Sequence, residues 1–255
     1  MKDLIRKQIE GVMAGHLSSV SGQVLWKSPL IGYASAADPL FKDLKQTAHQ
    51  GHLSPTDLLE GAKTVLAYFL PFAEEIVSSN TSGELPSIQW AYAYSQTNDL
   101  ITLINNGLES FLHLKSYRAC TIPATHNFDP VSLMSAWSHR HVAYIAGLGT
   151  LGLNRMLITE KGCAGRIGSI VTELELAPDE RIKGDHCLYL HNGSCSACLD
   201  RCTCSALQKD NFNRQKCYER LLENEASLHL GGHADVCGKC CCGLPCSVRN
   251  PVTKE

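Results

Sequence analysis

The sequence predicts an α/β (α+β) protein with a larger body over residues 1–184 and a small cysteine-rich domain over residues 185–255. Amphipathic segments and a continuous apolar strand in the first part predict a sheet packed with helices. Eleven of the 13 cysteines fall within sixty residues of the last part, between Cys187 and Cys246, which predicts a metal centre. A chain of 255 residues with 44% apolar composition can bury the core that this arrangement needs.

The elements of the first part follow from the spacing of its apolar residues. Apolar side chains recur on one face over residues 3–15, which predicts a helix packed on the body, and Trp90-Ala91-Tyr92 together with residues 98–114 predicts a second, long helix. The run Thr64–Pro71 is apolar throughout and closed by proline, which predicts a buried strand. Strands and turns are also expected over residues 156–158 and 167–176.

The charge of the chain limits its partners. A net charge of −2 gives no global attraction for nucleic acid or for an anionic membrane, so any contact with RNA has to be local. The N-terminal segment is charged and amphipathic, and no run reaches the length of a spanning helix. We therefore expect a cytoplasmic protein without a membrane partner, in which thiols stay reduced and clustered cysteines indicate metal or catalysis.

The cysteine spacing is typical of a ferredoxin-type iron–sulfur domain. Two tight groups, over residues 195–202 and 237–246, resemble loops in which closely spaced cysteines hold one cluster and the last cysteine reaches a second. Two [4Fe–4S] clusters need eight thiolates. The first set predicted here is Cys187, Cys195, Cys198 and Cys246, and the second set is Cys202, Cys217, Cys237 and Cys240.

Two other interpretations of the cysteines stay open. Paired CxxC elements can hold structural zinc, although four thiolates for each ion would leave most of these cysteines unused. A disulfide framework would require a secreted protein. Three cysteines of the region, Cys204, Cys241 and Cys242, are spare in the iron–sulfur assignment.

A glycine-rich segment precedes the cysteines. Gly147-x-Gly149-x-x-Gly152 matches the dinucleotide-binding fingerprint, and Glu173 lies about as far beyond it as the ribose-binding acid of that motif. A strand should lead directly into such glycines, whereas the residues before them are typical of a helix. We therefore expect no Rossmann nicotinamide site, and infer that the glycines let the main chain approach a planar or bulky group.

His139, Arg140 and His141 come just before these glycines. They can supply protons or bind an anionic group, since histidine titrates near neutral pH. Each histidine can equally be a partly buried, hydrogen-bonded residue without a chemical role.

Three stretches resemble the epoxyqueuosine reductases and their relatives, the corrinoid-dependent reductive dehalogenases. The segment AGLGTLGLN, residues 146–154, is similar to the family's AGLGWIGKN, and GSIVTELEL, residues 168–176, is similar to the strand that follows it. The segment KCYERL, residues 216–221, resembles the family's isolated cysteine before a short helix, which implies that Cys217 is a ligand of the second cluster.

The resemblance implies a nitroreductase-like corrinoid-binding domain followed by a ferredoxin-like domain with two [4Fe–4S] clusters. A corrinoid, with a flavin as the alternative, is then expected beside Arg140, Gly147, Gly149, Gly152 and Asn154. The expected activity is that of a reductase that receives electrons from an external donor of the flavodoxin or ferredoxin type. Its substrate would be a small molecule or a modified nucleoside.

The chain departs from the family at three points. The family's catalytic aspartate has no counterpart at its aligned position, which leaves Asp129, His139 and His141 as candidate proton donors. The spacing from Cys240 to Cys246 is longer than in the family, so Cys240 and Cys242 compete for one ligand position. The helical-repeat extension with which the family grips transfer RNA has no counterpart, which argues against transfer RNA as the substrate.

A protein of another class is the rival hypothesis. The chain could be an electron carrier of the ferredoxin type, with no catalysis of its own. About 185 residues before the cysteines exceed what a carrier requires, which favours an enzyme.

Overall fold

The chain is described by a computed structural model that covers residues 1–19, 24–123, 127–229 and 234–252. Its strands are β1 (Leu30–Ser35), β2 (Thr64–Pro71), β3 (Ala119–Thr121), β4 (Gly149–Leu151), β5 (Leu157–Thr159) and β6 (Gly165–Thr172). Its helices are α1 (Lys2–Ser19), α2 (Leu40–Thr47), α3 (Pro55–Leu58), α4 (Glu74–Ser79), α5 (Ile88–His113), α6 (His139–Ile145), α7 (Leu188–Asn192), α8 (Ala197–Asp200) and α9 (Arg214–Leu228), with a 3-10 turn at Lys239–Cys241.

The centre of the fold is an antiparallel sheet in the strand order β1-β2-β6-β3. Strand β2 is buried along its whole length, because both faces of the sheet are covered. Leu66 and Tyr68 pack into the core on one face, and Val65 and Ala67 pack into the core on the other. The buried strand predicted from the apolar run is confirmed with the same bounds.

Helices α1 and α5 cover the first face. Ile5 and Ile9 of α1 and Leu100 of α5 are buried in its core, as the helical periodicity predicted. The Tyr68 hydroxyl donates to Asn105 Oδ1 over 2.8 Å and so ties α5 to the sheet. Helix α5 begins at Ile88, two residues before the predicted Trp90-Ala91-Tyr92, because the Ser87 hydroxyl accepts a hydrogen bond from the Trp90 main-chain N–H and caps it there.

Helix α6 covers the second face and leads into a short ribbon formed by β4 and β5. Val142 and Ala143 of α6 are buried in the core beneath the sheet. The glycine segment therefore follows a helix, and the strand pairings of the described residues are antiparallel. A strand-to-helix turn of the dinucleotide-binding type is not formed at these glycines.

The cysteine-rich part returns to the sheet at its end. The main-chain N–H groups of Cys163 and Ala164 donate over 2.9 Å to the main-chain oxygens of Cys246 and Ser247, respectively. The Asn80 amide donates to the Cys237 main-chain oxygen over 2.9 Å. The last cysteine motif is thus held against the first part of the chain. Within the described ranges, no helix has the length and apolarity needed to cross a bilayer.

Candidate functional site

The four cysteines of the first set line one small cavity. Cys187 lies just before α7, Cys195 and Cys198 lie at the start of α8, and Cys246 lies on the returning segment. Burial, followed by the neighbouring thiols of Cys187, Cys240 and Cys195, raises the pKa of Cys198 to about 12. The fold therefore brings Cys187 and Cys195 to one cavity although they are far apart in the motif. The cavity wall carries four thiols, which is the number of ligands that a [4Fe–4S] cluster requires.

The second set also converges. Burial, followed by the thiols of Cys240, Cys204, Cys237 and Cys202, raises the pKa of Cys217 to about 12. Cys204, a spare cysteine in the sequence-based assignment, lies in the same group, with its Sγ 3.9 Å from that of Cys202. Thiols with such a raised pKa keep their protons at neutral pH unless a metal displaces them.

Among the described residues, no group of three or more His, Cys, Asp or Glu side chains is arranged so that it could hold a single metal ion. The two cysteine sets are defined instead by a shared cavity and by mutual proximity.

Cys163 is a member of this centre that the sequence pattern did not reveal. It lies in the turn between β5 and β6, is 1% exposed, and packs in one buried cluster with Cys241 and Cys246. Gly162 has a φ of +83°, and a Cβ there would collide with the main chain at Ser247. Cys163 stands 24 residues before the cysteine-rich segment, so its spacing carried no ligand signal.

Cys240 and Cys242 point into different surroundings. Cys242 is fully buried in the main core beside the sheet, where the Asn80 amide donates to its sulfur over 3.6 Å. Cys240 packs against the cluster that contains Cys163, Cys187 and Cys198. This placement favours Cys240 over Cys242 as the ligand.

A large cleft adjoins the first cysteine set. Its volume is about 830 Å³, near the upper end for small-molecule sites. Most of the ionisable side chains on its wall are basic, namely His49, His52, Arg140, His141, Arg155, Lys209 and Arg214, against one acidic residue, Asp210. The cleft is therefore suited to an anionic ligand, although the chain as a whole is slightly acidic.

His139 is buried between α6 and the sheet and does not line the cleft. Trp137 Nε1 donates to Ser169 Oγ over 3.0 Å, and that hydroxyl lies 2.8 Å from His139 Nδ1. His139 Nε2 lies 3.0 Å from the Pro123 main-chain oxygen and must donate to it, so Nδ1 accepts. Burial lowers the pKa of His139 to about 4, which keeps the ring neutral.

His141 lines the cleft, and its Nδ1 lies 2.8 Å from Ser138 Oγ. Burial, followed by the charges of Arg140 and His52, lowers the pKa of His141 to about 4. An anionic ligand in the cleft would oppose the Arg140 charge and raise that pKa. Of the two predicted histidines, His141 is therefore the one in position to exchange a proton with a ligand.

Arg140 connects the cleft with the cysteines. Its Nη1 donates to the Arg155 main-chain oxygen over 2.6 Å. Solvent in the cleft reaches the side chain, but the surrounding protein lowers its pKa, while the thiols of Cys241 and Cys240 act in the opposite direction. The guanidinium thus places a positive charge on the cleft wall, near the thiols of Cys241 and Cys240.

Asp129 is exposed on the loop before α6 and does not line the cleft. Its Oδ1 accepts hydrogen bonds from the main-chain N–H and the hydroxyl of Ser132, each over 2.7 Å, and from the Val131 N–H over 3.2 Å. Hydrogen bonds from Ser132 lower the pKa of Asp129, so the carboxylate is ionised at neutral pH.

The three glycines approach different partners. A Cβ at Gly147, where φ is +77°, would meet the main chain of Glu180, and one at Gly149 would collide with Ile158 on the paired strand. Gly152 alone among the three lines the cleft. Close approach is thus required by the protein itself at two of these positions.

Asn154 faces the cysteines. Its Nδ2 donates to the Cys240 main-chain oxygen over 3.0 Å and to Cys163 Sγ over 3.5 Å, and its side chain lines the small cavity. Its Oδ1 accepts from the Met156 N–H over 3.1 Å, which fixes the orientation of the amide.

No protein-family model matches the chain. Two curated relatives are similar to it in sequence. It is 28% identical over 220 residues to an epoxyqueuosine reductase of Bacillus anthracis, covering 78% of this chain and 54% of the relative. It is 26% identical over 171 residues to an epoxyqueuosine reductase of Cyclobacterium marinum, covering 66% and 51%. The chain therefore spans about half the length of these relatives.

Solved structures share the fold. An epoxyqueuosine reductase from Streptococcus thermophilus matches with a TM-score of 0.55 and 19% identity over 95% of this chain and 68% of that one. An epoxyqueuosine reductase with an epoxyqueuosine-modified tRNA stem loop matches with a TM-score of 0.51 and 21% identity, over 87% and 58%. A reductive dehalogenase described as B12-dependent matches with a TM-score of 0.58 and 16% identity, over 88% and 30%.

These likenesses confirm the resemblance inferred from the sequence. The chain is similar to epoxyqueuosine reductases, and it shares a mixed α/β fold with them and with the reductive dehalogenases.

Proposed function

We propose that the protein is an oxidoreductase of the epoxyqueuosine reductase type that acts on a modified nucleoside. The first set of cysteines would hold one [4Fe–4S] cluster and the second set another, and the cleft would hold a corrinoid, with a flavin as the alternative. When bound, the clusters supply single electrons and the corrinoid supplies a reducible cobalt. Residues 1–184 would form a nitroreductase-like domain, and residues 185–255 a ferredoxin-like one.

One observation carries the proposal. Leu153 lines both the cavity of the first cysteine set and the large cleft. Its main-chain N–H lies 3.5 Å from Cys187 Sγ. A single residue therefore separates a site suited to an iron–sulfur cluster from a site suited to a large organic ligand, which is the arrangement that electron transfer between them needs.

The side chains of the cleft have distinct tasks in this proposal. Arg140 and Arg155 would bind and orient anionic groups, because arginine pairs well with phosphate and carboxylate. His141, held by Ser138, would give a proton to the reduced substrate from its Nε2. Tyr189 and Leu190 of α7, which line the cleft, would exclude water from one side.

The charge of the cleft also bears on the form of the substrate. The basic wall suits the phosphates on either side of a nucleoside in RNA. A relative of the same fold has been solved with a modified tRNA stem loop. We therefore propose a nucleoside within RNA as the substrate and an external flavodoxin- or ferredoxin-type protein as the electron source.

Single-turnover reduction tests the proposal. Protein purified and reconstituted without oxygen would be loaded with cobalamin or with flavin, reduced chemically, and mixed with free epoxyqueuosine or with a modified stem loop. We expect reduction with cobalamin, faster for the stem loop than for the free nucleoside. Failure to reduce either form, by protein with measured cluster and cobalamin content, would remove the nucleoside assignment. Reduction with flavin alone would overturn the choice of cofactor.

A further inference from the structure

The two cysteine sets differ in the charge of their surroundings. The cavity of the first set has no charged side chain among the described residues of its wall. Three basic residues, in contrast, are close in the chain to members of the second set, namely Arg201 beside Cys202, Arg220 three residues after Cys217, and Lys239 between Cys237 and Cys240.

Arg201 carries two donors without an acceptor. Its Nε and Nη2 are buried and have no hydrogen-bond partner. Helix α8, which ends just before Arg201, packs against the 3-10 turn Lys239–Cys241. A Cβ at Gly243 would lie 3.8 Å from the Arg201 Cζ, so the guanidinium lies beside the segment that follows this turn. Buried N–H groups of a charged side chain are costly without an acceptor, so they indicate that an anionic group binds beside them.

Arg220 leaves its inner nitrogen free in the same way. Its Nη1 lies 3.3 Å from Glu223 Oε2 and its Nη2 lies 3.9 Å from Glu84 Oε2, and both carboxylates are exposed. The Nε is buried and has no hydrogen-bond partner. Because residues three apart on a helix are neighbours on its surface, Arg220 shares a face of α9 with Cys217. The outer end of the side chain is thus held by carboxylates, while the inner nitrogen is left for another acceptor.

Lys239 adds positive charge at the same place. The residue is 1% exposed, and its Nζ donates to the main-chain oxygens of Asn80 and Ser82 over 3.2 Å and 2.7 Å. Both acceptors are neutral, so they do not cancel the charge of the ammonium. An iron–sulfur cluster with its four thiolates is an anion and would supply the opposite charge.

We propose that Arg201 and Arg220 donate N–H hydrogen bonds to the sulfurs of the second cluster and make it the first of the two clusters to be reduced. Positive charge and hydrogen bonds to sulfur both stabilise the more negative, reduced state of a cluster and so raise its reduction potential. The external donor loses one electron and the second cluster gains it, with no proton transfer and no change in covalent bonds. The first cluster, whose cavity shares Leu153 with the cleft, keeps the lower potential and is the stronger reductant beside the ligand. The proposal rests on the iron–sulfur part of the proposed function.

Potentiometric titration followed by electron paramagnetic resonance tests this order. The full chain, with both clusters reconstituted, would be compared with Arg201→Met, Arg201→Lys and Arg220→Met, and Cys217→Ala would identify the signal of the second cluster by its loss. In the wild type we expect the second cluster to be reduced at the less negative potential. Each methionine variant should keep its iron and sulfide and lower the ratio of reduced to oxidised second cluster at a fixed potential about tenfold, which is a shift of about 59 mV to a more negative value. Arg201→Lys should shift it less, because the ammonium keeps the charge.

Arg118→Met is the matched control, because it removes the same charge from a residue that pairs with Glu173 over 2.7 Å outside the cysteine-rich part. An unchanged second cluster in both methionine variants would overturn the proposal, as would an equal shift of both clusters or a wild type whose first cluster is reduced before the second. If Arg201→Met loses the iron of the second cluster, Arg220→Met decides instead, and the same loss in both would make the arginines structural and overturn the proposal. A wild type that binds no cluster under reconstitution would defeat the proposed function itself.

Discussion

The Asn154 side-chain amide donates to the main-chain oxygen of Cys240 over 3.0 Å. One residue at the end of the glycine-rich segment therefore holds the last cysteine motif, 86 positions later in the chain. The same amide contacts the Cys163 sulfur. The segment that lines the cleft and the segment that would bind metal are thus joined by the hydrogen bonds of one side chain.

Replacing Asn154 by alanine should weaken the metal centre. The substitution removes the donor to Cys240 and leaves a polar group unpaired, which costs about 1–3 kcal/mol of folding free energy. We expect a lower Tm and faster release of iron to a chelator. Asn106→Ala, an exposed position on α5, should change neither. Equal iron release from both variants would show that the amide does not hold the cysteine motif.

If each cysteine set binds its own cluster, removing one ligand should abolish one cluster and leave the other in place. Wild-type protein should contain about eight iron and eight acid-labile sulfide per chain, as two [4Fe–4S] clusters require. Cys198→Ala should remove the first cluster and spare the second, whereas Cys217→Ala should do the reverse. Iron analysis and the spectra of the reduced proteins measure this. Stoichiometric zinc without sulfide would favour the zinc alternative, and loss of both clusters in each variant would refute the grouping.

The buried His139 makes stability depend on pH. Its pKa is about 4 in the folded protein and about 6.5 in an unfolded chain, so the unfolded state binds the proton first as the pH falls. Its contribution is complete above about pH 6.5 and is lost towards pH 4, by about 1.4 kcal/mol for each pH unit. His139→Gln should flatten the dependence of Tm on pH between about 6.5 and 4. His113→Gln, at an exposed position, should leave it unchanged.

His141 should affect turnover more than the other candidate donors. His141→Ala removes a general acid in the cleft and should lower the single-turnover rate by about 100-fold or more without loss of iron. Because the pKa of His141 is about 4, the wild-type rate should rise as the pH falls from 8 to 6. His139→Ala should chiefly reduce stability, and Asp129→Asn should have little effect. A rate that is independent of pH in the wild type would argue against His141 as the donor.

The basic cleft predicts that binding of an RNA stem loop weakens as the salt concentration rises. If Arg155 contacts a phosphate, Arg155→Gln should weaken binding of the stem loop and reduce the slope of log affinity against log salt by about 1. Fluorescence anisotropy at several salt concentrations measures this slope. Arg118→Gln is the matched control, because Arg118 pairs with Glu173 over 2.7 Å outside the cleft. The same loss in both variants would assign the effect to overall charge.

The sequence by itself determined the elements whose signal is local. The continuous apolar run Thr64–Pro71, closed by proline, predicted a buried strand, and the repeated apolar face of residues 3–15 predicted a packed helix; both are present in the structure. The tight spacing of Cys195 and Cys198 likewise indicated a metal centre, because cysteines so close in the chain must be close in space.

Only the tertiary structure decided which distant groups meet. The contact of Cys163 with the returning segment at Cys246 joins two parts of the chain that are far apart in sequence, and no spacing of residues encodes it. The two neighbouring histidines diverged because successive residues of a helix point in different directions, so that His139 is buried beside Ser169 and His141 lines the cleft. Residue type showed that these side chains could do chemistry, but contacts between segments far apart in the chain determined where each could do it.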